Sequence, residues 1–310
     1  MENLLILVLA LSLDLLLGDP PNFLHPVAWM GKTAAFLEKG NRSQRPATRF
    51  LYGTGLVLLI IALFAVPAYA ALVYLKSFGS IAYVIGGAVI LKTTFSFRGL
   101  RRAALGIMRL LQDNNLEQAR FDLCGLVHRD AGHLSPPLMV SAAVESVAEN
   151  TSDSVVAPLF YFLLFGIPGA IAYRVVNTLD AMLGHHGQYE YLGKFAARLD
   201  DLLNIIPARL TALLLVLAAF LSRKDGRAAW HTAFSDHVNT ESPNAGWPMA
   251  AVAGALDVRL EKRGHYKLGR GNAQLTPETI GASVRLMQTT GLMWVVISLA
   301  VGGIQMVFVS

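Results

Sequence analysis

A polar stretch at residues 145–154, ESVAENTSDS, stands directly before a long apolar segment. Its carboxylates Glu145, Glu149 and Asp153 recur every four residues, so on an α-helix they would fan over roughly 80° of one face. Each would cost about 2.5–3.5 kcal/mol if it faced lipid, so this face must meet water, a cation or protein. The pattern favours a functional site that includes Glu145, Glu149 and Asn150. The alternative is a solvated helix end, in which Asp153 caps the next helix.

Three polar residues near the N terminus form a second candidate group. Asp14 lies inside an apolar run, where a carboxylate is a functional candidate by default. Asp19 belongs to the turn GDPP, which Gly18 can open by ending the preceding helix. His25 precedes Pro26. For Asp19 and His25, a role in the turn itself is the alternative to a role in a site.

Charged side chains elsewhere form helical faces. Lys194, Arg198 and Asp201 fall on one side of a helical stretch, either as part of a site or as a surface ion pair. Arg209 stands in an otherwise apolar stretch, where it needs an anionic partner or must reach the lipid headgroups. Residues 98–111 have the pattern of a basic amphipathic helix suited to an anionic membrane surface.

The composition indicates a membrane protein. Of the 310 residues, 54% are hydrophobic and 15% are charged, whereas soluble domains carry about 25% charged residues. A spanning helix needs about 20 apolar residues, and the third apolar block reaches that length only if Lys92 snorkels. Strand-like alternation is nearly absent. We therefore predict an all-α polytopic bundle of five to six transmembrane helices, forming a single membrane domain over residues 1–310. The apolar blocks lie at residues 3–17, 51–75, 79–91, 155–176, 204–221 and 288–309.

Positive charge predicts the orientation of the chain. The net charge is +5, and Lys and Arg concentrate between the first two blocks, after the third and after the fifth, as in cytoplasmic loops. A membrane setting explains this charge better than a nucleic-acid partner does. We predict a cytoplasmic helical segment at 98–150 and a cytoplasmic loop region at 223–285. GIPG at 166–169 offers a re-entrant break, and 245–256 is either re-entrant or packed within the protein.

Short catalytic motifs are missing from the sequence, which contains no HExxH, GxSxG or CxxC. The single cysteine, Cys124, excludes an internal disulfide and a cysteine-pair metal site. Residues 187–195 approach a phosphate-binding loop, but they have one residue too many between the glycines. They also place Phe195 where Ser or Thr should hold magnesium. The sequence therefore carries no nucleotide-binding motif.

Several long motifs together resemble one enzyme family. LDLLLGDPPNFLHPVAWMG, ESVAENTSDSVVAPLFYFLLFGIPGAIAYRVVNTLDAM, LGKFAARLDDLLNIIPARLTA and NAGWPMAAVAGAL are similar to the adenosylcobinamide-phosphate synthases of cobalamin biosynthesis. The resemblance runs from the first apolar block to at least Leu268. It implies a multi-pass inner-membrane protein that attaches (R)-1-aminopropan-2-ol, or its O-phosphate, to the f-propionate of adenosylcobyric acid. It also implies ATP and Mg²⁺ as cofactors, and late corrinoid-pathway enzymes as candidate partners.

Combined with the residues, the resemblance suggests a role for each candidate. Acid activation by ATP needs metal and cationic clamps on the phosphates, and Mg²⁺ prefers carboxylate oxygens. His25, or a spare carboxylate, is the candidate base for the amine proton. A transporter, and a membrane regulator of the beta-lactamase-induction type with similar architecture, remain the alternatives. The predicted metal ligands are Glu145, Glu149, Asp153, Asp14 and Asp19. The predicted phosphate or corrinoid contacts are Arg98, Arg101, Lys194, Arg198, Arg209, Asn177 and Asp180.

Overall fold

A computed structural model describes residues 1–21, 23–41, 43, 45–127, 131–185, 187 and 189–309, with side chains as far as residue 304. Most of these residues are helical, as the all-α prediction expects. In chain order the helices and strands are α1 (Glu2–Leu17), α2 (Pro26–Glu38), α3 (Pro46–Ser77), α4 (Ser80–Lys92), α5 (Phe97–Gln112), α6 (Leu116–Val127), α7 (Pro136–Thr151), a π-helix (Ser152–Val156), α8 (Ala157–Leu183), α9 (Lys194–Leu203), α10 (Ile205–Leu221), α11 (Gly226–Asp236), a 3₁₀ turn (His237–Asn239), α12 (Gly246–Ala255), β1 (Leu260–Lys262), β2 (Tyr266–Leu268) and α13 (Pro277–Val309).

The chain divides into two compact units that are interleaved in sequence. Unit 1 comprises Met1–Ser96, Ala157–Leu203 and Ile297–Ser310, and unit 2 comprises Phe97–Val156 and Asn204–Val296. The prediction of a single membrane domain, and the cytoplasmic assignment of residues 98–150 and 223–285, stay predictions.

Four helical segments among the described residues are long and apolar enough to cross a membrane. Residues 194–203 and 205–221 provide a fifth span if this bent pair acts as one. With this pair the count reaches five, the lower end of the predicted five to six; without it the count is one short. The first apolar block forms α1, which has 16 residues, fewer than the ~20 that a span needs. The four segments are Pro46–Ser77, Ser80–Gln112, Pro136–Leu183 and Pro277–Ile304.

Two glycines in unit 1 end or interrupt helices, and both have backbone torsions that other residues rarely adopt. Gly18 follows α1 with φ 75°, and its N–H donates to Asp14 O at 2.9 Å, so the chain turns immediately before Asp19. Gly166 has φ 67° and ψ −163° inside α8, two residues before Pro168. Only glycine tolerates such torsions readily. The predicted break at GIPG is therefore present as a kink, whereas a re-entrant path stays a prediction.

Small residues build the core of unit 2. α7 and α12 carry runs of alanine, and α12 is buried along its whole length, where it packs against α7, α10 and α11. Small side chains let helix backbones approach closely, as in membrane helix packing. The segment 245–256 thus takes the packed form of the two alternatives that its sequence allows.

A two-stranded hairpin in unit 2 is the exception to the all-helical expectation. β1 pairs antiparallel with β2, with Leu260 opposite Leu268 and Lys262 opposite Tyr266. Leu260 and Leu268 are fully buried, while Gly264 turns the chain with φ 78°. The strands have only three residues each, too few for a period-two pattern to stand out from the sequence.

Candidate functional site

A buried lysine joins two of the predicted site residues in unit 1. The ammonium of Lys92 lies 2.9 Å from Asp14 Oδ1 and 2.6 Å from Asp19 Oδ1, and Ser96 donates a further hydrogen bond to Asp19. The side chains of Lys92 and Asp14 are 6% and 1% exposed, and that of Asp19 is 28% exposed. We call Asp14, Asp19, His25, Lys92 and Ser96 the Lys92 cluster. In this structure one protein cation lies between the two carboxylates and offsets one of their two charges.

Helix ends position the Lys92 cluster. Asp14 lies in the last turn of α1, and Lys92 is the last residue of α4, which packs along α1. Asp19 follows two residues after α1 ends. Lys92 does not extend outward as a snorkelling lysine would, because two carboxylates within hydrogen-bond distance hold its ammonium inside the protein. The segment that contains it, Ser80–Gln112, is nevertheless long and apolar enough to cross a membrane.

One ring nitrogen of His25 is engaged by a backbone N–H of the helix that it caps. It caps α2, and its Nδ1 accepts a hydrogen bond from Val27 N at 3.2 Å. The proton of the neutral ring is therefore on Nε2, which lies 3.9 Å from Asp19 Oδ1. The alternative reading of a turn histidine describes this geometry. Its role as catalytic base stays a prediction and needs Nδ1 to leave its capping partner.

The environment of Asp19 favours its ionised form. Burial opposes ionisation and acts to raise the pKa of Asp19, but hydrogen bonds from His25, Lys92 and Ser96 outweigh it. Together they hold the pKa of this carboxyl well below its usual range. Asp19 is thus a fixed negative charge at neutral pH.

Glu145 links the hairpin of unit 2 to α7. It is 4% exposed and accepts hydrogen bonds from Ser141 Oγ at 2.7 Å and from Tyr266 Oη at 2.9 Å. Ser141 Oγ in turn accepts from Glu261 N at 2.8 Å. Both strands are therefore tied to one helical carboxylate. This positions Glu145 firmly, and its predicted catalytic and metal-binding roles stay predictions.

The rest of the 145–154 stretch runs into a π-helix at Ser152–Val156. A π-turn departs from the 3.6-residue period. Asp153 therefore does not continue the regular helical spacing that was predicted for the three carboxylates. Such turns are rare and occur frequently at functional sites. Asn150 donates to Ser146 O at 3.0 Å and accepts from Ser154 Oγ at 3.1 Å. Glu149 and Asp153 are both half-buried, so part of each side chain meets solvent.

Arg209 belongs to an aromatic group in unit 2. Its Nη1 donates to Asn244 Oδ1 at 3.1 Å, and its guanidinium lies 5.1 Å from the ring centre of Trp247. Trp247 stacks on His237 with ring centres 3.8 Å apart. The indole N–H of Trp247 is buried and finds no acceptor among the described residues. Arg209 is therefore held by protein groups while its side chain remains exposed.

The remaining candidates in unit 1 lie on α8 and α9. Asn177 accepts from Arg174 at 3.3 Å and donates to the buried Asp200 at 3.4 Å. Lys194 lies over the ring of Tyr191 at 5.9 Å from its centre. Asp180 is half-buried near the end of α8.

Arg198 also lies on α9. Its Nη1 is 3.7 Å from Asp201 Oδ2, and its side chain is 76% exposed. This geometry matches the surface ion pair that the sequence allowed as an alternative. The predicted ligand contacts of these residues stay predictions.

α5 of unit 2 has one buried and one basic face. Leu100, Ile107 and Leu111 are buried, whereas Arg101 is exposed and Arg98 half-buried. Arg101 lines a groove formed by residues of α5 and α13. The predicted contacts of both arginines with phosphate or corrinoid stay predictions.

No three His, Cys, Asp or Glu side chains within the described ranges converge as a metal-binding group. The five predicted metal ligands are divided between the units, with Asp14 and Asp19 in unit 1 and the other three in unit 2. Their convergence on one ion stays a prediction.

Comparison with known proteins places the chain in a family. Residues 7–287 match the CobD/Cbib protein family. The chain belongs to this family. It is 52% identical over 301 residues to the cobalamin biosynthesis protein CobD of Dehalococcoides mccartyi strain CBDB1, covering 97% of this chain and 98% of that one. It is 40% identical to a probable CobD of Methanothermobacter thermautotrophicus, covering 99% of both chains. It is 39% identical to CobD of Klebsiella pneumoniae, covering 96% of this chain and 95% of that one. No solved structure matches.

The residues matched by the CobD/Cbib family include every candidate site residue, of which Asp14 is the first and Arg209 the last. Membership supports the family resemblance read from the sequence, a role in cobalamin biosynthesis and a membrane setting. Sequence reasoning did not connect Lys92 with Asp14 and Asp19, although a lone charge at the end of an apolar block was the available signal. It also missed Ser141 and Tyr266, which lie more than a hundred residues apart and carry no local pattern.

Proposed function

We propose that this protein is an ATP-dependent acid–amine ligase. It joins (R)-1-aminopropan-2-ol, or its O-phosphate, to the f-propionate of adenosylcobyric acid and gives adenosylcobinamide or its phosphate. The observation that carries the proposal is the CobD/Cbib match over residues 7–287, together with relatives that align over at least 97% of both chains and whose names refer to cobalamin biosynthesis. The particular reaction comes from the family resemblance of the long motifs.

The chemistry requires activation of the acid, because a carboxylate does not react with an amine at neutral pH. A carboxylate oxygen of the corrinoid attacks the γ-phosphorus of ATP, and ADP leaves. The amine nitrogen then attacks the acyl carbon, phosphate leaves, and the nitrogen loses a proton to a base. Phosphoryl transfer depends mainly on positioning and on neutralising phosphate charge. The protein must therefore present cations to the phosphates and one acceptor to the amine.

The described carboxylates suit a magnesium ion shared with substrate phosphates rather than a complete protein cage. Mg²⁺ usually binds through one or two carboxylates plus phosphates and keeps several waters. Glu149 and Asp153 would hold it, because both are partly exposed beside the π-helix. The ion would supply charge neutralisation. Glu145, buried and hydrogen-bonded to two hydroxyl groups, is better suited to fixing α7 and the hairpin.

Two of the candidate cations, Arg209 and Arg101, are exposed guanidinium groups of unit 2. Arg209 is oriented by Asn244 and Trp247 and remains exposed, so it can pair with a phosphate or corrinoid carboxylate. Arg101 is a second exposed guanidinium. In unit 1 the Lys92 cluster contributes a fixed anion at Asp19, suited to orienting His25. We place the protein in the cytoplasmic membrane with its basic loops in the cytoplasm, where ATP is available.

The test uses purified full-length protein with adenosylcobyric acid, ATP and each amine in separate reactions, read by mass spectrometry. The expected product has the mass of the amide with the amine or its phosphate, and it does not form without ATP. A strain lacking the protein should grow on cobinamide but not on cobyric acid. Normal growth on cobyric acid, without a second copy of the protein, would refute the proposal. Corrinoid uptake by vesicles without amide formation would instead favour a transporter.

A further inference from the structure

A groove of about 360 Å³ runs along α5 and α13 in unit 2. Its wall on α5 includes Arg101 and Gln112, and its wall on α13 includes Glu278, Arg285 and Gln288. Leu105, Met108 and Val284 provide an apolar floor. A mixed lining of this kind, with a few polar groups over apolar surface, is typical of sites for small ligands.

A second groove, of about 340 Å³, shares Arg285 and Gln288 with the first. It adds Ser222, Lys224 and Thr289, which contribute a second cation and two hydroxyl groups. Because the two grooves share two side chains, they adjoin at Arg285. We call the pair the basic groove.

The basic groove is positively charged. Its lining holds three cations, Arg101, Lys224 and Arg285, and one carboxylate, Glu278. Glu278 accepts a hydrogen bond from Gln112 at 3.0 Å. Within the described residues, no carboxylate oxygen lies within 4.0 Å of a side-chain nitrogen of the three cations. The lining thus carries three positive charges against one negative charge, and this excess favours an external anion.

Arg285 has a defined position in the basic groove. A Cβ atom added at Gly281 would lie 3.7 Å from Arg285 Nη1 and 3.1 Å from Met108 Sδ. The guanidinium therefore folds back along α13 towards the side that packs near α5. A planar guanidinium binds phosphate oxygens in pairs, which a single ammonium cannot do.

The position in the sequence suggests the depth of the basic groove in the membrane. Lys224 follows the end of α10, Arg101 follows the third apolar block, and Arg285 precedes the last apolar block. In the sequence, all three cations thus lie next to apolar blocks, where the chain becomes polar, as residues at the level of lipid headgroups do.

We propose that the basic groove binds a phosphate group, with Arg285 as the central contact and Arg101 and Lys224 as flanking cations. Two sources share this chemistry: a soluble phosphorylated substrate and the headgroup of an anionic lipid. Only the soluble source depends on the proposed ligase function. Binding is measured without the ligase reaction, so the two proposals can fail separately.

The experiment uses full-length protein in nanodiscs made only of phosphatidylcholine, with inorganic pyrophosphate as the soluble probe in calorimetry. A second arm measures phosphatidylglycerol retained by the protein in mixed nanodiscs, by native mass spectrometry. Loss of one charge-assisted contact costs about 1.5–3 kcal/mol, so Arg285→Gln should weaken the responsible arm roughly tenfold to a hundredfold. Arg101→Gln should weaken binding of the same ligand, and Arg285→Lys should retain part of the binding that Arg285→Gln loses.

Arg259→Gln is the matched control, because Arg259 is an exposed arginine of unit 2 outside the groove lining. It should leave both arms unchanged. Weakening confined to pyrophosphate identifies a soluble ligand, and weakening confined to phosphatidylglycerol identifies a lipid. The proposal is overturned if Arg285→Gln and Arg259→Gln behave alike in both arms while circular dichroism shows all proteins folded.

Discussion

Replacing Lys92 by methionine tests whether the Lys92 cluster holds α1 and α4 together. The substitution preserves the length of the side chain and removes the ammonium between Asp14 and Asp19. Because the side chain of Asp14 is only 1% exposed, water cannot easily replace the lost charge. Removing one partner of a buried pair typically destabilises a protein by about 3–5 kcal/mol. Asp19 keeps its hydrogen bond from Ser96 and is partly exposed, so most of the loss falls on Asp14.

The assay is denaturant unfolding of purified protein in neutral detergent, followed by tryptophan fluorescence. Lys76→Met is the matched control. Lys76 also lies in unit 1 and pairs with Glu2 at 2.6 Å, but it is 58% exposed, so its loss should matter little. The double variant Asp14→Asn/Lys92→Met should recover part of the stability. Its residue 14 is uncharged, so the loss of Lys92 no longer leaves a buried carboxylate without its cation. Equal stability of Lys92→Met and Lys76→Met would refute this account of the cluster.

Three further outcomes are expected. Tyr266→Phe removes a hydrogen bond to the buried Glu145 and should cost about 1.5–3 kcal/mol, seen as faster hydrogen exchange in the hairpin; unchanged exchange would contradict the link. Glu149→Gln should abolish product formation without lowering the protein level, and Asp153→Asn, which removes the second carboxylate proposed to hold Mg²⁺, should reduce it; near wild-type turnover in both variants would exclude a metal role. The pKa of Asp19 is lowered in the folded state. The ionised carboxylate therefore contributes its full share to folding stability above the usual Asp pKa of about 4, and this contribution is lost as the pH falls below that value. The stability difference between wild type and Asp19→Asn should therefore stay constant from pH 8 to pH 5 and shrink below pH 4.

The helical class and the membrane setting could be predicted from the sequence because both depend on local composition. Apolar blocks of sufficient length appear directly as helices, and Gly18 and Gly166 mark an end and a kink because their torsions exclude most other residues. The charged and polar residues were found, but their partners were not. Lys92 is 73 residues from Asp19, and Tyr266 is 121 residues from Glu145.

Two local features were also beyond sequence reasoning. The π-helix at Ser152–Val156 adds one residue to a turn, and no residue type signals it. The hairpin at 260–268 has strands too short to show alternation. In both cases tertiary packing, rather than local preference, selects the conformation.

The interleaving of the two units has a consequence for how the chain acquires its structure. Unit 1 draws on three separated segments, the last of which begins at Ile297. Synthesis proceeds from the N terminus, so the first 96 residues must wait for a helix made roughly two hundred residues later before their unit is complete. Unit 2 likewise cannot close until residues 204–296 follow residues 97–156. A single cut between residues 97 and 296 therefore divides both units, and complementation by the two coexpressed fragments would require each unit to assemble from pieces of both fragments.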